Sequence, residues 1–266
     1  MMRSLYSGVS GLQSHQTKMD VISNNISNVN TVGFKKSQTV FQDMLSQTIA
    51  AGTAADTSGG RNAQQIGTGV KVSSINVITT QGAIYSTGSS TDIMIQGEGY
   101  FMVTDGENEY YTRAGSFTLD NDGNMVNGAG MILCDDSGDP IQIEIDDYSG
   151  DINIAANGTI TYTDADGEPQ EYGSQIGLVT FPNPAGLTKV GGSLYTVSAA
   201  SGDPNDTAIP GEDGTGTLCS NALEMSNVDL SSEFVDMIVA QRGFQANSKS
   251  IQTSDEMLQE LMTLKR

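Results

Sequence analysis

Apolar residues recur every seven positions at both ends of the chain. The N-terminal repeat consists of Leu5, Leu12, Met19 and Ile26, and the C-terminal repeat of Leu230, Met237, Phe244, Ile251 and Leu258. This spacing is typical of amphipathic helices that pack against other helices. A lone helix with such a stripe cannot bury it. We therefore predict that the first and last segments pair with each other and with copies from other chains.

The expected assembly seam comprises the heptad residues and the apolar residues that broaden the stripe. These residues are Leu5, Val9, Leu12, Met19, Ile22, Ile26, Met237, Phe244, Ile251, Leu258 and Leu261. An antiparallel helical hairpin that closes the ends of a monomer would show the same period. The period alone favours this simpler arrangement, so the case for packing between chains needs further observations.

The charge of the chain excludes several classes of partner. The formal net charge is -20 and the sequence pI is about 4.1, which argues against binding to nucleic acid or to anionic lipid surfaces. No apolar stretch is long enough to insert into a membrane, and the N-terminus lacks the pattern of a secretory signal. We expect a protein that is cytoplasmic or is exported by a route that reads another signal.

The segments between the helices have different compositions. We expect a first helix over residues 1–30, an extended or loosely ordered connector over 31–70, a central β domain over 71–226 and a final helix over 227–266. Residues 46–69 are rich in Ala, Gly, Ser and Thr and cannot form a core alone. Short apolar runs such as residues 93–95, 100–103, 141–145 and 152–154 predict strands. The fold class is therefore α+β, with paired coiled-coil helices and a mostly antiparallel β domain.

Two acidic clusters, at residues 120–124 and 164–168, invite interpretation as calcium sites. Neither has the twelve-position loop or the closing glutamate that such a site requires. Asp122-Gly123, Asn157-Gly158 and Asp166-Gly167 are instead typical of hairpin turns. We predict no metal and no cofactor.

Catalytic sites find little support in the sequence. His15 is the only histidine and falls in the first helix, where a surface or packed role is the simpler interpretation. Gly97-Glu98-Gly99 lacks the spacing of a dinucleotide loop and precedes a strand rather than a helix. Cys134 and Cys219 are too few for a disulfide scaffold, and two inert side chains are the plainer interpretation. We predict that the chain is not an enzyme.

Three groups of residues resemble the bacterial flagellar hook and rod axial protein family. Residues 7–12 (SGVSGL) and 24–35 (NNISNVNTVGFK) resemble its N-terminal signature. Residues 226–230 (SNVDL) and 240–247 (AQRGFQAN) resemble its C-terminal signature, and 97–101 (GEGYF), 111–115 (YTRAG) and Phe117 resemble its shared β domain. The resemblance extends over nearly the whole chain.

Within this family the sequence favours the hook protein in a short form, with the distal rod protein as the alternative. Residues 34–44 and 227–266 carry the likeness to the hook protein. The chain has no room for the additional outer β domain of many hook proteins, and the distal rod protein is of similar size.

The resemblance implies a structural role in the flagellar basal body and hook, outside the cell. It implies export without a cleaved signal peptide through the type III apparatus, and polymerisation into a tubular helical filament that transmits torque. The implied partners are copies of the same chain, the rod, the hook cap and the hook-filament junction proteins. A carbohydrate- or calcium-binding β module with helical ends is the competing hypothesis. It predicts clustered exposed aromatic residues or a complete metal loop, whereas aromatic residues make up 6% of the chain and Trp is absent.

Overall fold

The computed structural model describes residues 2–54, 59–143, 152–163, 168–212 and 214–264. The chain divides into two compact units. The helical unit comprises Met1–Ser27, Ser37–Val77 and Asp229–Arg266, and the β unit comprises Asn28–Lys36 and Ile78–Val228. β4, which the sequence analysis assigned mostly to the central β domain, pairs with β1 within the helical unit. The α+β class is confirmed.

In its described residues, the helical unit contains both helices and four strands. Its elements are α1 (Met2–Ser27), β1 (Ser37–Asp43), β2 (Ser46–Ala50), β3 (Gln64–Gly67), β4 (Val70–Val77) and α2 (Leu230–Leu264). Asp229 caps α2, because its Oδ1 accepts a hydrogen bond of 3.0 Å from the Ser231 N–H and its carbonyl accepts one from the Glu233 N–H. α1 and α2 pair within this unit, as the apolar repeat predicts.

The connector is more regular than its composition suggests. β2 and β3 form an antiparallel pair, and a further bridge joins Thr53 to Arg61. Every residue of both strands is exposed, in agreement with the expectation that this segment has no core of its own. Of the two expected forms, extended or loosely ordered, these two stretches take the extended one, because backbone hydrogen bonds can order a hairpin whose side chains bury little.

The β unit consists of fifteen short strands in the described part of the chain. They are β5 (Ile84–Ser86), β6 (Ile93–Gln96), β7 (Tyr100–Thr104), β8 (Glu109–Thr112), β9 (Phe117–Leu119), β10 (Met125–Asn127), β11 (Ile132–Leu133), β12 (Ile152–Ile154), β13 (Thr159–Thr163), β14 (Pro169–Gln175), β15 (Leu178–Val179), β16 (Thr188–Gly191), β17 (Leu194–Thr196), β18 (Thr217–Ser220) and β19 (Ala222–Glu224). The pairings among these strands are antiparallel.

An eight-stranded sheet organises the β unit. Its order is β16-β17-β8-β7-β11-β10-β9, with β15 also paired to β7, and a three-stranded sheet β12-β13-β14 and the pairs β6-β18 and β5-β19 accompany it. Along β7 the side chains alternate, so that Phe101 and Val103 belong to one apolar cluster and Tyr100 and Met102 to the other. Because both faces are covered, the four buried residues 100–103 of this strand are apolar or aromatic without alternation.

The turn predictions are confirmed where the structure describes them. Gly123 lies between β9 and β10 with a φ of 81°, and Gly158 lies between β12 and β13 with a φ of 85°. Asp166-Gly167 and residues 144–145 of a predicted strand lie outside the described residues. No group of three His, Cys, Asp or Glu side chains in the described ranges could hold a metal ion. Within the same ranges, no helix is long and apolar enough to cross a membrane.

A glycine in the β unit provides a test of this packing. In Gly115→Ala the new Cβ would overlap the carbonyl oxygen of Ile93, at a point where the Ile93 N–H also bonds to the Gly115 carbonyl. We expect Gly115→Ala to lower the free energy of unfolding by about 3 kcal/mol. Gly128→Ala is the control, because Gly128 has nothing within 4 Å of an added Cβ and should shift stability by about 0.5 kcal/mol or less. Urea unfolding followed by circular dichroism measures both, and equal stabilities would contradict the packing described.

Candidate functional site

Small residues bring the two helices into close contact. A Cβ added at Gly8 would lie 2.9 Å from Cγ1 of Ile251, and one added at Gly11 would lie 2.6 Å from Nδ2 of Asn247. Ala240 is fully buried. The backbones of α1 and α2 therefore approach more closely than a pair of large side chains would allow.

The same close approach surrounds the single histidine. A Cβ on Gly243 would lie 2.5 Å from Cε1 of His15, and the His15 ring meets Phe41 edge to face at 5.6 Å between centroids. Burial lowers the pKa of His15, and the charge of Lys18 lowers it further. The folded state thus favours neutral imidazole. Its contribution to stability is complete above the unfolded pKa of about 6.5 and is lost as the pH falls through the lower folded pKa.

The predicted seam residues are covered to different degrees. Ile22 is buried at 4% exposure, whereas Val9 and Leu261 are exposed at 43% and 50%. The other seam residues are half-buried: Leu5, Leu12, Met19, Ile26, Met237, Phe244, Ile251 and Leu258. The heptad stripe is therefore partly covered by the pairing of α1 with α2 and partly open.

A second set of apolar side chains lies on the open surface of the helical unit. In α2 it comprises Phe234, Val235, Ile238, Val239, Met257, Met262 and Leu264, each at least 49% exposed. In α1, Tyr6 is 68% exposed and, together with Arg3, Val9 and Met44, lines an apolar pocket of about 430 Å³. Most of this set was not predicted from the sequence, because these residues lie outside the heptad positions.

Three charged side chains are buried together in the β unit. Lys35 Nζ lies 2.6 Å from Oε1 of Glu224, and Nη1 of Arg113 lies 3.3 Å from Oε2 of the same carboxylate. Exposure of these side chains is only 1%, 1% and 5% for Lys35, Glu224 and Arg113. Burial lowers the pKa of Lys35, and the hydrogen bond to Glu224 opposes that effect.

This cluster is a structural feature rather than a reactive one. Lys35 also donates to the Thr80 carbonyl at 2.9 Å, Arg113 Nη2 donates to the Gly97 carbonyl at 2.8 Å, and the Gly82 N–H donates to Glu224. Removing one member of such a cluster leaves an uncompensated buried charge and costs about 3–5 kcal/mol. The cluster was not predicted from the sequence. Its members lie at positions 35, 113 and 224, far apart along the chain, and each looks like an ordinary surface charge.

The two cysteines are free thiols. Cys134 is buried, and burial together with nearby carboxylates such as Glu109 raises its pKa to about 12. A thiol with this pKa stays protonated and unreactive at neutral pH. Cys219 is half-buried. The position of Cys134 agrees with the expectation of a small, inert side chain.

Three family models match the chain. Residues 5–35 match "Flagella basal body rod protein", residues 94–162 match "Flagellar hook protein FlgE/F/G D1 domain", and residues 220–264 match "Flagellar basal body rod FlgEFG protein C-terminal". The first and last of these include nearly all of α1 and all of α2, and the middle one lies within the β unit.

Curated relatives match along the whole chain. The flagellar basal-body rod protein FlgG of Bacillus subtilis is 53% identical over 267 residues, covering all of both chains. The rod protein FlgG of Borreliella burgdorferi is 40% identical, again over all of both chains. The hook protein FlgE of the same organism is 30% identical, and its alignment covers all of both chains over 443 positions.

A solved structure of the Helicobacter pylori flagellar hook protein FlgE2 superimposes with a TM-score of 0.23 and 17% identity. The match covers 62% of this chain and 47% of that one. The identity to the full-length relatives is decisive. The chain belongs to the bacterial flagellar rod and hook protein family, and it is a structural protein of the flagellar axis rather than an enzyme.

Proposed function

We propose that the chain is the distal rod subunit of a bacterial flagellum and that it polymerises into a tubular helical filament. The observation that carries this proposal is the match to rod proteins from end to end, at 53% identity over 267 residues with all of both chains covered. A subunit of the same length and order of segments can occupy the same place in an assembly without a change in its neighbours.

The hook remains the second candidate, and it fits less well than the rod. The alignment to the Borreliella burgdorferi hook protein runs over 443 positions, while this chain has 266 residues. Of the two runs that favoured the hook, 227–266 lies almost entirely in a segment described jointly for FlgE, FlgF and FlgG proteins. Only residues 34–35 of the run 34–44 lie in a matched segment, and that segment is described for rod proteins, so neither run singles out the hook. Length is the better discriminator, and it favours the rod.

The open apolar surface of the helical unit supports packing between copies. Ile238 and Val235 are 55% and 61% exposed on a helix that already has its partner α1. Exposed apolar patches of this kind mark interaction sites. We propose that the partly open heptad stripe and these residues together form the seam between copies, with coiled-coil packing. A contact between two different surfaces, repeated along a screw axis, would propagate into a tube.

The distribution of charge supports the same arrangement. The helical unit contains eight Lys and Arg residues against nine Asp and Glu, whereas the β unit contains four against twenty-three. Nearly all of the net charge of -20 therefore belongs to the β unit. Copies can pack through a nearly neutral helical unit without strong repulsion. We propose that the remaining partners are adjoining flagellar axial proteins, reached by export through the type III apparatus.

His15 reports on the pairing of the helices within one chain. In Gly243→Leu the larger side chain would occupy the space of the His15 ring, so we expect the helices to separate and the pKa of His15 to return to about 6.5. In the wild type it should lie below that value. Because the chain has one histidine, NMR titration measures it directly. The control is Ala246→Leu at an exposed site of α2, and the same pKa in all three proteins would argue against the close helix contact.

Two substitutions in α2 separate pairing within a chain from packing between chains. Ile238→Asp changes an exposed side chain, so the monomer should keep its stability while polymerisation fails. Ile251→Asp changes a side chain that contacts Gly8, so the monomer itself should lose about 2–4 kcal/mol. Thermal unfolding and electron microscopy of polymers measure these effects, with Gln241→Asp at an exposed polar position as the control. Tubes of normal length from Ile238→Asp would exclude this surface from the seam.

Complementation tests the choice between rod and hook. The gene should restore swimming to Bacillus subtilis cells that lack their rod protein FlgG, because the two chains match over their full length. It should not restore swimming to cells that lack the hook protein. Purified polymers should be straight tubes under the electron microscope. Rescue of the hook mutant alone, together with curved tubes, would overturn the rod assignment.

A further inference from the structure

Two asparagines from the terminal signatures hold the chain at the points where it passes between the two units. The chain passes from one unit to the other after residues 27, 36, 77 and 228. Asn25 lies just before the first of these points, and Asn227 just before the last. The proposed function gives these residues no role.

Asn227 binds two other passages of the chain within the β unit. Its Oδ1 accepts a hydrogen bond of 2.8 Å from the Lys36 N–H. Its Nδ2 donates to the carbonyl of Ile78 at 2.9 Å and to the carbonyl and hydroxyl of Thr80 at 3.1 Å each. The Lys36 carbonyl in turn accepts from the Ile78 N–H at 2.8 Å. The side chain of Asn227 thus joins its own segment of the chain to two others, one containing Lys36 and one containing Ile78 and Thr80.

Asn25 makes a corresponding set of hydrogen bonds inside the helical unit. Its Nδ2 donates to the Ser37 carbonyl at 2.9 Å, and its Oδ1 accepts from the Ser37 N–H at 3.0 Å. Nδ2 also donates to Oε2 of Glu233 at 3.1 Å, in the first turn of α2. Asn25 and Glu233 are 2% and 5% exposed, so these bonds are shielded from water. Asn227 therefore binds the backbone N–H of Lys36, and Asn25 binds the backbone N–H and carbonyl of the next residue, Ser37.

The chemistry of these contacts requires an amide. At each site one oxygen faces an N–H donor while the nitrogen faces carbonyl or carboxylate oxygens, and only Asn or Gln supplies both kinds of atom. Asp would keep the acceptor, lose the donors and place a negative charge next to carbonyl oxygens. A residue that filled the space without these groups would leave backbone atoms unpaired.

We propose that Asn227 and Asn25 transmit load between the passages of the chain, so that force on one passage is shared at once by the others. This inference rests on the proposed function, because a rod subunit must transmit torque. Hydrogen bonds that are loaded together resist force better than bonds that open one after another. Each asparagine joins segments of the chain that an applied force would otherwise load one at a time. We assign this role to Asn25 of the N-terminal signature and Asn227 of the C-terminal signature.

Pulling the full-length chain by its two termini tests the proposal for Asn227. Force applied in this way enters the β unit at residues 28 and 228, and the bond between Asn227 and Lys36 joins the two loaded passages. Opening of the β unit is recognised in an optical trap by a gain of about 500 Å in contour length. We expect Asn227→Asp to lower the opening force roughly 1.5-fold and Asn227→Ala to lower it further.

A second pulling direction separates load transmission from a purely structural role. Handles at the exposed residues Glu107 and Glu171 pull on the same unit without loading the passages. If Asn227 transmits load, the opening force in this direction should match the wild type. An equal loss in both directions, or no loss through the termini, overturns the proposal.

Matched variants keep the test interpretable. Asn153→Asp changes an exposed asparagine of β12 and should not alter the force in either direction. Thr80→Val removes only one hydroxyl acceptor of Asn227 and should give a smaller, directional loss if the stronger variants fail to fold.

The outcome in cells is separable from that of the proposed function. The trap measurement needs only the isolated chain, so a failure of wild-type complementation would overturn the rod assignment and leave the measurement intact. Where the wild type restores swimming, cells with Asn227→Asp should swim in dilute medium and stall at raised viscosity. Equal relative speeds at both viscosities would overturn the role in torque transmission.

Discussion

The close approach of α1 and α2 through glycines is the contact on which the rest of the helical unit depends. Gly8 lies against Ile251, and Gly243 lies against His15. Because small residues make this contact, the large apolar residues of the heptads are only half-covered, and others such as Phe234 lie open on the surface. A helix pair built from large side chains would have used its apolar area within one chain. This pair leaves a substantial part of that area exposed.

The α+β class, both helices, several of the strands and two hairpin turns follow from hydrophobic period and turn chemistry. The manner of helix contact does not, because the heptad argument weighs large residues and ignores the space next to Gly8 and Gly11. Glycines at helical spacing within a predicted helix were the available signal. The buried Lys35–Glu224 pair escaped prediction for another reason: a charged residue in a sequence indicates a solvated surface unless its partner is known.

The choice between hook and rod shows the same limitation at the level of function. Asn25 and Asn227 belong to the signatures by which the chain resembles the family, and both make their hydrogen bonds close to points where the chain changes unit. Such residues therefore carry little information about which axial protein a chain is. The absence of a long additional segment carries more, and it favours the rod.

The two units differ strongly in charge. Burying a nearly neutral, apolar helical unit against copies removes apolar surface from water at little electrostatic cost. The β units carry almost all of the negative charge, so neighbouring copies repel through them, with a range of about 8 Å at physiological salt. In the proposed packing, attraction between copies acts through the helical units. A subunit with this division can grow along one seam while its acidic surface opposes random aggregation, which is the requirement for a filament of defined form.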